Sequence, residues 1–247
     1  MSLWSSGASQ PEALGRPLAR TERESGANQP LRLVRSVGIT RFTDIACGAA
    51  HCLAVTAEGA LYSWGLNAQG QLGDGTTEER ARPAAVPLFT GRDIGAIAYG
   101  GAHSAALVAR SGSAVQCFTW GLADSGQLGH DADQGLARGS PRPVTALDAL
   151  PEASLALLGP GRRGSRTGPL ACGASHTALL TATGALLTWG SNHYGQCGLH
   201  RIGRTVVPAV VHSACADRFA MAACGAAHTL LLDEQGRVYA CGLNATG

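Results

Sequence analysis

The sequence predicts an all-β protein of short antiparallel sheets repeated around an axis, a β-propeller, and three observations predict it. One landmark recurs four times, as "CGAAH" (47–51), "YGGAH" (99–103), "CGASH" (172–176) and "CGAAH" (224–228). His51 and His103 are 52 residues apart, as are His176 and His228, while 73 residues separate His103 from His176. A second landmark keeps phase with the first. Trp64, Trp189 and Cys241 each follow their histidine by thirteen residues and precede a glycine, and Trp120 follows His103 by seventeen. Five residues beyond each of those glycines stands another, at Gly70, Gly126, Gly195 and Gly247. The third observation is a period of two. "HCLAVTAEGALYSWG" reads as an apolar stretch, a glycine turn and a second alternating stretch, which is a β-hairpin and not a helix of period 3.6.

Each element can be justified in order. The histidine opens one strand and the tryptophan closes the next. Between them Gly59, Gly184 and Gly236 supply the positive φ that a tight hairpin turn demands. A short apolar stretch ahead of each histidine ("TDIACG", "IGAIAYG", "RFAMAACG") gives a third strand, and the Pro-x-x-Val region ahead of that can give a fourth. Four short strands in about fifty residues make a propeller blade. Residues 42–247 are therefore read as propeller repeats, and 1–41 as a basic segment that can hold a degenerate first copy. In that copy, "LWSSGASQPEALG", Trp4 and "ALG" echo Trp-Gly and "QLG", although Trp4 precedes His51 by 47 residues where Trp64 precedes His103 by 39.

Composition narrows the function. Hydrophobic residues make up 45% and charged residues 15%, with a net charge of +2, which gives no strong electrostatic claim on nucleic acid or membrane. No apolar run reaches the length of a membrane span, and "MSLWSSGASQPEALG" lacks the order of a secretory signal, so an intracellular setting is expected, cytoplasmic first. Six arginines against two glutamates in residues 16–41 leave a mitochondrial address open, and a nuclear one is the other alternative. All 19 basic residues are arginine, which excludes a Walker-type phosphate loop and a lysine Schiff base. "GQLGDG" (70–75) resembles a phosphate-cradling loop but recurs without its second half and lacks a following helix.

Candidate sites are weighed on the same residues. His51, His103, His176 and His228 invite a metal reading, since three have a cysteine four residues ahead. At one phase of successive blades, however, they would be spread around a ring and could not converge on a tetrahedral point, so neither metal nor cofactor is expected. The same phase predicts that all four are buried and structural, and that Trp64, Trp120 and Trp189 pack between blades with an indole N–H that needs a partner. Eight cysteines (47, 52, 117, 172, 197, 215, 224 and 241) suggest a disulfide framework, but those of the repeat lie about a blade apart, and reduced, mostly buried thiols are expected. No Gly-x-Ser-x-Gly elbow and no recurring carboxylate pair supports catalysis, and isolated acids such as Asp74, Asp124 and Asp131 read as loop residues. Between Trp120 and His176 about seventeen extra residues are inserted, at about 146–168, with "GPGRRGSRTGP" at 159–169. Their functional reading is a basic docking loop for an acidic partner, with Arg162, Arg163 and Arg166 as contacts.

The phrases "CGAAHCLAVTAEGALYSWGLNAQGQLGDG" and "CGASHTALLTATGALLTWGSNHYGQCG" resemble the repeat of the regulator of chromosome condensation family. The resemblance implies a seven-bladed propeller, which needs on the order of 350 residues. The sequence ends at Gly247, where "QLG" would follow, and is read as an incomplete arc of about four blades. The alternative is a short form that pairs with a second copy through its open edge. For function the leading expectation is a protein-interaction scaffold with a protein partner. The resemblance also implies guanine-nucleotide exchange on a small GTPase, as the best-known member performs on Ran, with Asp124 and a repeat histidine as nearest counterparts. "SNHYGQCG", Cys241-Gly242 and the long hairpin before Trp120 resemble the mitochondrial branch, linked to ribosome assembly and fusion. The tryptophan-based ultraviolet photoreceptor of the same family is disfavoured, because it stacks several tryptophans on one face and only four occur here.

Overall fold

The computed structural model describes residues 4–7, 29–33, 41–109, 115–130, 138–149, 169–211 and 218–245. It is all-β apart from two single 3-10 turns, Pro87–Phe89 and Thr145–Ala149. Strands β1 (Trp4–Gly7) and β2 (Gln29–Leu33) form an antiparallel pair in which Trp4 stands opposite Leu33. Sheet 1 then contains β3 (Phe42–Cys47), β4 (His51–Thr56), β5 (Leu61–Gly65) and β6 (Arg80–Ala85). Sheet 2 contains β7 (Ile94–Tyr99), β8 (His103–Ala109), β9 (Val115–Gly121) and β10 (Arg138–Pro143). Sheet 3 contains β11 (Leu170–Cys172), β12 (His176–Leu180), β13 (Leu186–Asn192) and β14 (Gly203–Val210). Sheet 4 has three strands among the described residues, β15 (Phe219–Cys224), β16 (His228–Asp233) and β17 (Val238–Gly242). Every pairing is antiparallel between chain neighbours, the up-and-down order of a propeller blade.

The strand carrying Pro-x-x-Val differs from expectation in its allegiance. It closes the sheet of the preceding histidine, not the following one: β6 pairs with β5, β10 with β9 and β14 with β13. The turn after Trp-Gly folds the chain straight back along the tryptophan strand. Proline, which has no N–H to give, suits the outer strand of the sheet where one row of backbone groups has no neighbour.

The hydrophobic core is a series of slabs between successive sheets. Leu53, Val55 and Leu61 of sheet 1 meet Ala106, Val108, Phe118 and Trp120 of sheet 2, with Phe89 between them. Ala105, Leu107 and Cys117 on the opposite face of sheet 2 meet Leu179, Leu187 and Trp189 of sheet 3. Ala178, Leu180 and Leu186 then meet Phe219, Ala222 and Leu231 of sheet 4. An inner strand thus faces a slab on each side, which is why β4, β12 and β13 are buried at every position. Strand β16 alternates instead. Thr229, Leu231 and Asp233 are buried, the first two against sheet 3, while His228 and Leu230 on the other face are exposed.

Candidate functional site

The repeated polar residues meet in the walls between sheets. His51 lies at the start of β4, and its Nε2 is 2.9 Å from Oγ of Ser104, which follows the histidine of the next sheet. That hydroxyl donates to the Gln71 carbonyl, back in the turn of sheet 1, at 2.9 Å. The Trp120 indole N–H donates to the same carbonyl at 2.8 Å, so both oxygen lone pairs are used. The next wall repeats this. His103 reaches Thr177 at 3.0 Å, and Thr177 and Trp189 donate to the Gln127 carbonyl at 2.9 and 2.8 Å. In the third wall His176 reaches Thr229 at 2.9 Å, Thr229 donates to the Gln196 carbonyl at 2.7 Å, and the Cys241 thiol replaces the indole at a looser 3.5 Å.

The glutamine carbonyl is aimed by its own side chain. Oε1 of Gln71, Gln127 and Gln196 accepts the backbone N–H two residues earlier, from Gln69, Ser125 and Tyr194, at 2.8–2.9 Å. The hydroxyl one residue ahead of each tryptophan position holds the next carbonyl: Ser63 binds that of Leu72, Thr119 that of Leu128 and Thr188 that of Cys197. The second glycine of Gly-Gln-Leu-Gly then packs closely against the neighbouring indole. A Cβ at Gly73 would stand 2.7 Å from Trp120 Nε1, and one at Gly129 3.0 Å from Trp189 Nε1, and with φ of 76° and 74° a larger residue would be strained at either position.

This network fixes the histidine tautomer. The serine or threonine proton is committed to the carbonyl, so the hydroxyl oxygen accepts, and the imidazole must carry its proton on Nε2. Nδ1 of His51, His103 and His176 is then a bare lone pair with no partner among the described residues. Burial holds His51 and His176 down at about 4 and His103 at about 3, its neighbours His176 and His51 adding to the effect. A second proton on Nδ1 would be a buried donor without an acceptor.

His228 departs from the expectation that all four rings are buried alike: it is exposed. The three buried rings are each covered by the hydroxyl strand of a following sheet, and no such strand covers sheet 4 among the described residues. Trp64 is the counterpart at the other end. Its ring is buried, with Phe42, Cys52 and Ala54, but its indole N–H has no partner among the described residues. The three tryptophans lie in three separate slabs.

Outside the walls, the turns after Trp-Gly carry exposed side chains. Leu66 and Tyr194 are exposed there, with Ile202 near the start of β14. Asp124 is exposed on the equivalent turn of sheet 2. Its carboxylate accepts from Gln127 Nε2 at 3.0 Å, and its carbonyl accepts from Arg204 of the next sheet at 3.0 Å. Asp124 therefore braces its own turn, and no repeat histidine is hydrogen-bonded to it. Arg162, Arg163 and Arg166 lie outside the described residues, as do Asp131 and Cys215. Among the described residues no three histidine, cysteine or acidic side chains gather as a metal-binding set. No helix there is long and apolar enough to cross a membrane.

Sequence reasoning missed the serine and threonine after the histidine and the glutamine of the turn. Their signal was present, since Ser104, Thr177 and Thr229 recur at one phase and Gln71, Gln127 and Gln196 at another. It also missed that Cys52 stands opposite Cys47 across the β3–β4 turn.

A chain of four-stranded sheets locked wall to wall by one recurring polar relay is a β-propeller of linked repeats. The regulator of chromosome condensation (RCC1) repeat matches residues 58–107 and 183–232, and a second description of that repeat matches 42–71 and 222–247. The chain belongs to the regulator of chromosome condensation repeat family. The ultraviolet-B receptor of Arabidopsis thaliana is 32% identical over 203 residues, 82% of this chain and 42% of the receptor. The probable E3 ubiquitin-protein ligase HERC3 of Homo sapiens is 34% identical over 218 residues, 87% of this chain and 19% of the ligase. The chain thus spans less than half the length of either relative. Among solved structures, human WBSCR16 superposes with a TM-score of 0.74 at 21% identity, over 97% of this chain and 56% of that one. Prp20p from Saccharomyces cerevisiae gives 0.52 at 22% identity, over 98% and 66%. At these identities the structural likeness is one of fold.

Proposed function

We propose that the chain is a non-enzymatic protein-interaction scaffold. The observation that carries this reading is where the repeated polar side chains go. Histidine, hydroxyl, glutamine and indole are consumed in the walls between sheets, so the motif builds the frame and leaves recognition to the turn tips. Those tips differ from blade to blade, with exposed Ala68, Asp124 and His193 at one position of successive turns and the Arg204 cation beside Asp124. A rigid face of varied, exposed side chains suits a protein surface more than a small substrate. The partner is taken to be a protein, bound inside the cell, in the cytoplasm first, with mitochondrion or nucleus as alternatives. The inserted arginines Arg162, Arg163 and Arg166 would add attraction for an acidic partner.

Exchange of guanine nucleotide on a small GTPase is the second reading, favoured by the exposure of Asp124 on the turn face. Prp20p, one of the structural neighbours, has been crystallised in connection with its binding to Gsp1p and histones. One experiment separates the two. Release of labelled GDP is followed from a panel of small GTPases with the chain and with Asp124→Ala. The scaffold reading expects no acceleration by either, with a photo-cross-linker placed at Tyr194 joining the chain to its protein partner. Acceleration by orders of magnitude that is lost in Asp124→Ala would replace the scaffold reading with the exchange reading.

A further inference from the structure

The residue ahead of each Gly-x-x-His turn stands opposite the residue after the histidine. In sheet 2 the pair is Tyr99 with Ser104. In sheets 3 and 4 it is a thiol with a hydroxyl, Cys172 with Thr177 and Cys224 with Thr229, each 3.8 Å from sulfur to oxygen. Sheet 1 alone places two thiols there, Cys47 and Cys52. Gly48 N–H donates to the His51 carbonyl at 2.7 Å, which makes Gly48 and His51 the hydrogen-bonded pair of the ladder. Cys47 and Cys52 are then the adjacent pair without ladder bonds. At such positions the Cα atoms approach to about 4.5 Å and the side chains share one face. That separation lies at the short end of the range a disulfide spans, roughly 4.4–6.8 Å.

The two thiols are not equivalent. Cys47 is exposed and Cys52 is buried. A hydrogen bond from Cys52 lowers the Cys47 thiol from its ordinary value, and giving that bond, together with burial, raises Cys52. One sulfur is reachable and the more readily ionised of the two, and the other waits behind it. Attack and resolution are thereby assigned to different residues.

We propose that Cys47 and Cys52 form a redox-active dithiol that exchanges with low-molecular-weight disulfides of the glutathione class and closes to a cross-strand disulfide. The Cys47 thiolate attacks one sulfur of the small disulfide, forming a mixed disulfide and expelling one small thiolate. Cys52 gives its proton to that thiolate and attacks the Cys47 sulfur, breaking the mixed disulfide. The second small thiolate leaves and takes up a proton from water, restoring the one given up when Cys47 ionised. Two protein thiols are oxidised to one disulfide, and one small disulfide is reduced to two thiols. The site also has a place in the fold's logic. Cys52 occupies the position at which Ser104, Thr177 and Thr229 donate to a glutamine carbonyl across a wall. Closing the bridge removes the S–H that this position offers to a neighbour.

The test uses the full chain, incubated with oxidised glutathione, quenched with an alkylating agent and cut with trypsin. Cleavage after Arg41 and Arg80 leaves both cysteines in one peptide, residues 42–80. The expected product is that peptide lighter by two hydrogens and unalkylated, restored to two alkylated thiols by prior treatment with dithiothreitol. Cys52→Ser, which copies the hydroxyl of the other sheets, should stop at a glutathione adduct on Cys47, and Cys47→Ser should leave Cys52 without adduct. Circular dichroism reports that each variant keeps its strands. A folded wild-type chain in which residues 42–80 stay unbridged would overturn the proposal. So would a Cys47 that reacts no faster than the buried Cys117 and Cys197.

Discussion

At the scale of single residues, the relay predicts which atoms matter more than the residue types suggest. Thr177 accepts from His103 and donates to Gln127, both in sheet 2. Thr177→Val keeps the shape but leaves the His103 Nε2–H buried without an acceptor, and should cost about 1–3 kcal/mol in denaturant unfolding. Thr177→Ser keeps the hydroxyl, so equal losses from both variants would refute the relay. The buried imidazoles also set a pH limit. Their folded pKa values lie below the roughly 6.5 of an exposed ring, so the unfolded chain binds protons first as pH falls. Stability contributed by His51, His103 and His176 is complete above pH 6.5 and is lost between there and about pH 4 for His51 and His176 and about pH 3 for His103. The slope is about 1.4 kcal/mol per pH unit and ring. Urea midpoints measured across this window should fall as pH drops, and His103→Gln should flatten the slope. The burial of three histidines and the need of the tryptophan N–H for a partner were legible from phase alone. Their acceptors were not, because two of the four relay members are a backbone carbonyl and a hydroxyl, groups so common that spacing seldom singles them out.

At the scale of elements, the hairpins were the most legible part of the sequence. Each has a short turn whose glycine announces it, and Gly59, Gly184 and Gly236 have φ of 83°, 81° and 82°. The three turns do not ask the same of a substitution. A Cβ at Gly184 would lie 2.8 Å from the Arg218 Cβ, while one at Gly236 would meet nothing within 4 Å. Gly236→Ala should therefore cost about 1 kcal/mol from backbone strain alone, and Gly184→Ala more, as thermal melts of the two variants would read. The ownership of the Pro-x-x-Val strand was not legible. A strand between two hairpins has an equal claim on either from pattern alone, and the connecting turn decides. The exposure of His228 was equally hidden, because its local sequence is that of a buried histidine and burial is conferred by the neighbouring sheet. The tight packing of β16 on one face only, with Leu230 and Val238 exposed on the other, shows the same dependence.

At the scale of the whole molecule, the arrangement is polar: sheets 1, 2 and 3 each send a histidine forward and receive a hydroxyl from the sheet that follows, with an indole beside it in the first two walls and the Cys241 thiol in the third. The proposed docking of an acidic partner belongs to this scale too. Replacing Arg162, Arg163 and Arg166 with alanine should weaken binding to that partner and lessen its salt dependence, measured by titration at two ionic strengths, while melting temperature stays unchanged. The direction of the relay also bears on how the chain is made. Gln71 precedes Ser104 by 33 residues, and Gln196 precedes Thr229 by the same number, so the accepting carbonyl is synthesised before its donor. A ribosome that releases the chain from its N-terminus delivers a finished turn first and the strand that locks onto it next. Each new blade meets an acceptor that has already been synthesised, an order that favours growth by accretion along one direction.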